Sequence, residues 1–302
     1  MLNGSPNYLV RAAAHGGLVR AFAVNATAVV AEIRNRHNTE PAVTAALGRL
    51  ATGALLFGAM LKEPGHLVTI RIAGNGPAGV LLASANGAGE VRGLVAHPRT
   101  EVDQVRNGKL NVSGVVGTQG RLTVTRDLGM RSPYVGVVEL VSGEVGEDLA
   151  HYLASSEQTP SAVGIGVFVR ATGDVEAAGG YMIQLMPGVA DSVAAGIEAR
   201  VRELPHPTTM LRQGDAPEDV LARVFHDGFE LLARTPVRFH CPCSRERVDR
   251  ALLLLGETAL LEILEQDAPR GVTEVTCEFC GEQYVIPSGE IQRLAAAAAE
   301  RA

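Results

Sequence analysis

The sequence predicts an α+β chain: a sheet-rich core over 1–188, a helical linker over 189–236, a small α+β module over 237–289 and a tail over 290–302. Three observations predict this. Short aliphatic and β-branched runs, broken by many of the 34 glycines, read as strands and turns rather than as a helical bundle. One long segment, 42–61, carries apolar residues at helical spacing. All four cysteines of the 302 residues fall late in the chain, as Cys241-Pro-Cys243 and Cys277-Glu-Phe-Cys280. The length suits about two domains of ~150 residues each. With 46% hydrophobic residues, no Trp and few aromatics, the core has to be built from Val, Leu, Ile and Ala.

Residues 9–33 alternate apolar and small side chains, with β-branched Val24, Val29 and Val30, and fit a strand followed by a helix. Pro41, after Thr39 and Glu40, marks a helix start. Val43, Leu47, Leu50, Leu55, Met60 and Leu61 then space a buried helix, in which Gly48, Gly53 and Gly58 signal close packing. The runs 67–72, 79–82, 89–95, 120–125 and 134–141 read as a largely antiparallel sheet. In the first of them Val68, Ile70 and Ile72 share one face, opposite Thr69 and Arg71. Gly74-Asn-Gly76 is a hairpin turn, because no glycine fingerprint of phosphate-loop length leads into a helix there.

Gly146-Glu-Asp148 opens a helix to about Ser155, with acids at the favourable end of its dipole. Two more strands follow, at 163–170 and 180–186, and a helix at 190–203. Leu204-Pro-His-Pro-Thr-Thr209 breaks it, and Pro217 opens another helix expected to end near Leu232. In the module, Ser244 caps a helix that Gly256 ends, and a second helix covers 257–266. Residues 272–286 alternate as a hairpin with Cys277 and Cys280 at its knuckle. The alanine-rich tail is helix-prone and receives no function.

The net charge of −6 argues against a dedicated nucleic-acid partner. The cysteine-bearing stretch 236–302 sharpens this, with seven Arg, no Lys and eleven acids. No basic segment followed by an unbroken apolar run opens the chain, and no run of ~18 consecutive apolar residues suggests a membrane span. The cytoplasm is the expected compartment, where clustered cysteines read as a metal or redox site before they read as structural disulfides.

Two close Cys pairs separated by a folded insert suit a tetrahedral Zn²⁺ site, one ion per chain, with Cys241, Cys243, Cys277 and Cys280 as ligands. From spacing alone two readings stand: a structural zinc that staples a small module, or a zinc–thiolate switch that oxidants open. Zinc holds cysteine as thiolate, the form that reacts with oxidants. Each ligand also has a disulfide partner within two or three residues, so oxidising one pair removes two ligands together. A thioredoxin-like reading of Cys277-Glu-Phe-Cys280 fits poorly, since a hairpin is not a strand-to-helix turn. His240 is expected to pack or face solvent rather than to ligate. The eight histidines are otherwise scattered, and no catalytic constellation emerges, so no enzymatic activity is expected.

The chain resembles the redox-regulated heat-shock holdases, the thirty-three-kilodalton chaperonin family. The two Cys pairs with their helical insert carry the resemblance, together with the runs Tyr134 to Glu144, Asp148 to Pro160 and Gly179 to Pro187. The most specific run is Ser156-Glu-Gln-Thr-Pro-Ser161. The resemblance covers the chain up to the alanine tail. It implies an ATP-independent chaperone that is monomeric and inactive when reduced and zinc-bound. It also implies that oxidation pairs Cys241 with Cys243 and Cys277 with Cys280, ejects zinc, unfolds the module and destabilises the linker. Homodimers would then hold unfolding client proteins. The alternative from another class is a zinc-ribbon interaction module on a metabolic enzyme or an RNA-associated factor.

Overall fold

A computed structural model describes residues 7–100, 102–106 and 108–300, and divides into two compact units, Met1–His240 and Cys241–Ala302. The first unit begins with the hairpin β1 (Tyr8–Ala14) and β2 (Val19–Asn25), followed by α1 (Thr27–His37) and α2 (Pro41–Gly58). A meander follows: β3 (Leu67–Gly74), β4 (Val80–Asn86), β5 (Glu90–Val95), the short pair β6 (Val105–Arg106) and β7 (Lys109–Leu110), α3 (Val112–Val116), β8 (Gly120–Asp127) and β9 (Tyr134–Glu139). The rest of the unit is α4 (Gly146–Ser155), β10 (Ser161–Val169), β11 (Val175–Leu185), α5 (Asp191–Glu203), α6 (Pro207–Arg212), α7 (Pro217–Ala222), β12 (Glu230–Pro236) and β13 (Arg238–Phe239).

These strands form a five-stranded sheet, β10-β11-β2-β1-β12, and a six-stranded sheet, β13-β5-β4-β3-β8-β9. α2 packs against strands of both. Every residue of α2 except Pro41 and Arg49 is buried, which is why it is apolar all round rather than striped. By length and composition it could cross a membrane, but 89% of its apolar window is buried inside the fold. Its glycines mark close approach, as their spacing predicts. A Cβ at Gly48 would lie 2.5 Å from the Val30 side chain, one at Gly53 2.5 Å from Leu149, and one at Gly58 2.8 Å from the Asn86 carbonyl oxygen.

At the start of α4, the fully buried Asp148 carboxylate accepts hydrogen bonds from the backbone N–H groups of Val141 (2.8 Å), Ser142 (3.0 Å) and Val145 (3.0 Å). A buried charge needs such partners. Arg126 and Glu157, from the run Ser156 to Ser161, form an ion pair at 2.5 Å, with the Arg126 guanidinium 5.9 Å from the centre of the Phe57 ring.

The five-stranded sheet is apolar on both faces. Leu9, Phe22, Val24 and Met182 join the main core, while Val10, Ala12, Ala21, Ala23, Tyr181 and Ile183 belong to a second core. That second core includes Ile197 of α5, Met210 of α6, Val220 and Leu221 of α7, and Phe225. The expected linker therefore supplies three helices that cover a sheet face.

Several expectations are corrected at element level. Residues 9–33 hold two strands before the helix, joined by a turn at His15–Gly17. The break at 204–209 contains the start of α6, with Pro207 in its first turn and the His206 side chain as N-cap acceptor. The helix from Pro217 ends at Ala222 instead of near Leu232. Glu230–Pro236 becomes β12 because the open edge of β1 is there to pair with it, Leu9 opposite Thr235 and Val10 opposite Arg234. A long-range backbone partner overrides the local helical pattern.

The second unit holds α8 (Arg245–Leu253), α9 (Glu257–Asp267), the antiparallel hairpin β14 (Val272–Thr276) and β15 (Gln283–Pro287), and α10 (Ser288–Ala299). The stretch 290–302, expected as a tail, lies mostly within α10, whose Ile291, Ala295 and Ala298 are buried. The α+β class holds for the whole molecule.

Candidate metal centre

Two local devices hold the cysteine pairs. Cys241 and Cys243 lie just before α8, and the Ser244 hydroxyl accepts the Arg247 N–H at 3.3 Å to cap that helix. Cys277 and Cys280 occupy the tight turn between β14 and β15. The Gly281 N–H donates to the Cys277 carbonyl at 2.8 Å, and the Cys277 N–H donates to the Glu282 carbonyl at 2.9 Å. Gly281 has φ +75°, the left-handed region where a side chain would be strained, so a glycine closes the knuckle.

The fold brings all four predicted sulfurs together, within 4.8 Å of one another. Cys241 Sγ lies 3.7 Å from Cys277 Sγ, and Cys243 Sγ lies 3.3 Å from Cys280 Sγ. A tetrahedron of thiolates, each ~2.3 Å from a central zinc ion, has edges of about 3.8 Å. The donor set and its spacing fit such an ion. Cys280 is buried and the other three are half-buried.

Burial pushes the Cys277 and Cys280 thiols up, since a lone thiolate is poorly solvated there. Backbone N–H groups act the other way, from Phe279 and Cys280 on Cys277 and from Glu282 on Cys280. Donors aimed at sulfurs in a half-buried site suit thiolates whose charge a bound cation balances.

The sequence reading missed two contributors. Tyr284, on β15, hydrogen-bonds Cys243, and that bond together with burial raises the phenol's pKa. Only the alternation of the hairpin could have flagged its side. Arg245 binds Asp249 at 2.8 Å, the Val285 carbonyl at 3.3 Å and the Glu290 carboxylate, tying α8 to β15 and α10. His240 is not among the converging donors. Its N–H donates to the Val91 carbonyl at 3.0 Å, beside the parallel pairing of β13 with β5.

Residues 7–287 match the model of the Hsp33 protein family. The chain is 45% identical over 288 residues to the 33 kDa chaperonin of Bacillus subtilis, covering 95% of this chain and 98% of that protein. It is 44% identical over 290 residues to the 33 kDa chaperonin of Desulforamulus reducens, covering 95% and 97%. The crystal structure of the 33 kDa chaperonin from Thermotoga maritima superposes with a TM-score of 0.87 at 36% identity, covering 97% of this chain and 99% of that one.

Proposed function

The chain belongs to the Hsp33 family of chaperones, and from that premise we propose that it is a redox-regulated, ATP-independent holdase of the cytoplasm. The observation that carries this reading is the convergence of Cys241, Cys243, Cys277 and Cys280 within 4.8 Å. Bound zinc would balance the charge of these sulfurs and keep them as thiolates, the nucleophilic form.

Cys241 with Cys243, and Cys277 with Cys280, are the pairs that oxidation joins. In each, two thiolates and one molecule of hydrogen peroxide take up two protons. One S–S bond forms, the O–O bond breaks, two electrons pass to peroxide and two waters leave. The sulfurs then no longer serve as ligands, and the hairpin and α8 lose their shared anchor. Under mild unfolding stress the cysteine unit opens, and the helices α5–α7 loosen from the five-stranded sheet.

The surface offered to clients is the aliphatic face beneath those helices. Val10, Ala12, Ala21, Ala23 and Ile183 on the sheet meet Ile197, Met210 and Leu221 on the helices there. Unfolding proteins are the partners, a homodimer is the active form, and neither nucleic acid nor membrane takes part.

The test combines zinc content and thiol count, before and after peroxide, with suppression of client aggregation. One zinc and four reactive thiols per reduced chain are expected, with protection appearing only as zinc and thiols are lost. X-ray absorption showing nitrogen or oxygen in the inner coordination sphere would refute the four-sulfur assignment. Peptide mapping that found bridges mainly between the two pairs would sink the neighbour pairing.

A further inference from the structure

We propose that β9 is a docking edge for extended, apolar segments of unfolding polypeptides, which add to the six-stranded sheet as a further strand. The proposal rests on the holdase reading above and adds to it a surface that stands open without oxidation.

β9 is the last strand of its sheet, and among the described residues no strand pairs with its outer side. Its register with β8 runs unbroken from Tyr134 opposite Arg126 to Glu139 opposite Arg121. The Leu140 N–H donates to the Gly120 carbonyl at 2.9 Å, so by antiparallel alternation Tyr134, Gly136 and Val138 turn their backbone groups towards β8. Val135, Val137 and Glu139 turn theirs outward. The side chains of Val135 and Val137 share the solvent face, 52% and 51% exposed, beside Thr125 and Thr123 of β8. Tyr134 and Val141 are exposed at the two ends of this window.

Both ends are fixed. Pro133 carries no N–H, and the Val141 N–H is taken by the Asp148 carboxylate at 2.8 Å. Beyond it Val145 sits at φ +69° in a tight turn, closed by the Gly146 N–H donating to the Glu144 carbonyl at 2.8 Å. Asp148 also accepts the Val145 N–H, at 3.0 Å. Such a strained turn persists only where its surroundings determine it, so β9 ends rigidly instead of fraying.

Sheet edges are normally blunted by charge, proline or shortness. β12, an edge of the other sheet, carries Glu230, Arg234 and Pro236, and β13, the opposite edge of this one, is only Arg238–Phe239. β9 has neither Lys nor Pro, and its one charge, Glu139, pairs with Arg121 at the strand's end. This chemistry selects the occupant. Main-chain donors and acceptors read no sequence, and two valines at alternate positions take any apolar side chain, so the edge suits an extended chain of no fixed sequence. A second folded copy fits poorly, because two half-exposed valines flanked by Tyr134 and Val141 fall short of the ~800 Å² per partner that a stable dimer buries. One edge by itself holds a segment weakly. Joined to the aliphatic face that oxidation frees, it gives a client a second attachment and slows its release.

The experiment uses the full chain, reduced and oxidised, with a short labelled peptide alternating Val and Thr, and the same peptide N-methylated at its valines. The plain peptide should slow amide exchange at Val135, Val137 and Glu139, and bind both redox forms with one affinity. N-methylation removes the peptide's edge-facing donors and should weaken binding about tenfold or more. Val137→Lys should weaken it to a similar extent while zinc content and the urea midpoint of the first unit stay unchanged, since that side chain is exposed. Oxidised Val137→Lys should also release an unfolded client faster than oxidised wild type.

Equal affinity for the two peptides, unchanged exchange at the three amides, or equal release rates would overturn the proposal. So would protection of those amides that grows with protein concentration in the absence of peptide, which would assign the edge to a second copy. If Val137→Lys does not fold, the N-methyl comparison, which needs no variant, decides. A wild type that pairs with the peptide through β9, yet protects no client when oxidised, would sink the holdase reading and leave the docking edge standing.

Discussion

Met1–His240 buries Leu47, Leu50, Leu55, Leu56 and Phe57 of a single helix between two sheets, whereas the core of Cys241–Ala302 comes down to three large aliphatic side chains, one leucine at its margin and two alanines. Both units mix helices with antiparallel strands. They differ in what holds them. The larger one has apolar area enough to stand by itself, while a unit of about 60 residues is marginal without a staple. In the smaller unit α10 supplies part of the core, and a metal ion held by the four sulfurs would be its staple. On the redox reading proposed above, the difference would let a chemical signal unfold one part of this chain and spare the rest, because the cysteine cluster lies in the smaller unit alone.

The largest effect should come from removing a ligand. In reduced Cys280→Ser, zinc content should fall to near zero, and the melting temperature of the second unit should drop by about 20 °C or more. Exchange in β3, β4 and β8 should not change. If those strands lose protection too, the two units are not independent and the comparison breaks.

Truncation sharpens the same contrast. A chain ending at His240 keeps β12, β13 and both sheets, and should suppress client aggregation without oxidant, while the intact reduced chain stays nearly inert. ATP should alter neither result. A folded fragment that fails to protect clients held by the oxidised full-length chain would show that the cysteine unit itself contributes binding surface.

Leu50→Ala attacks the other side of the comparison. It should cost the first unit about 2–5 kcal/mol in urea unfolding and leave zinc content unchanged. A loss of zinc in that variant would mean that the large core supports the metal centre.

The smallest effect concerns how α7 is held over the five-stranded sheet. Glu218 accepts the Tyr8 hydroxyl at 2.6 Å and pairs with Arg234 of β12. Burial alone would push its carboxyl up, but the Tyr8 and Arg234 partners outweigh this and hold it below the usual 4.5. Burial, with the Glu218 carboxylate beside it, raises the Tyr8 phenol to about 12. A carboxyl whose folded pKa is depressed contributes stability above its unfolded pKa and loses it as pH falls through the folded value. The first unit should therefore weaken as pH drops below about 4.5, and Glu218→Gln should flatten that part of the urea-midpoint profile. Parallel profiles for the two chains would show that this carboxylate does not secure α7.

Much of the molecule was legible because its information is local. The pairs Cys241/Cys243 and Cys277/Cys280, the Ser244 cap, the hairpin at 272–286 and the glycine-notched helix all follow from spacing over a few residues. Their places in the structure match that spacing closely. The family resemblance was legible for the same reason, since Ser156 to Ser161 and the cysteine pairs are contiguous runs. The convergence of four sulfurs, the capture of Glu230–Pro236 as a strand by the open edge of β1, and the conversion of an alanine-rich tail into half of a core were decided only by tertiary structure. Each depends on partners far along the chain, and a residue's own neighbours carry no record of which distant edge, sulfur or leucine it will meet.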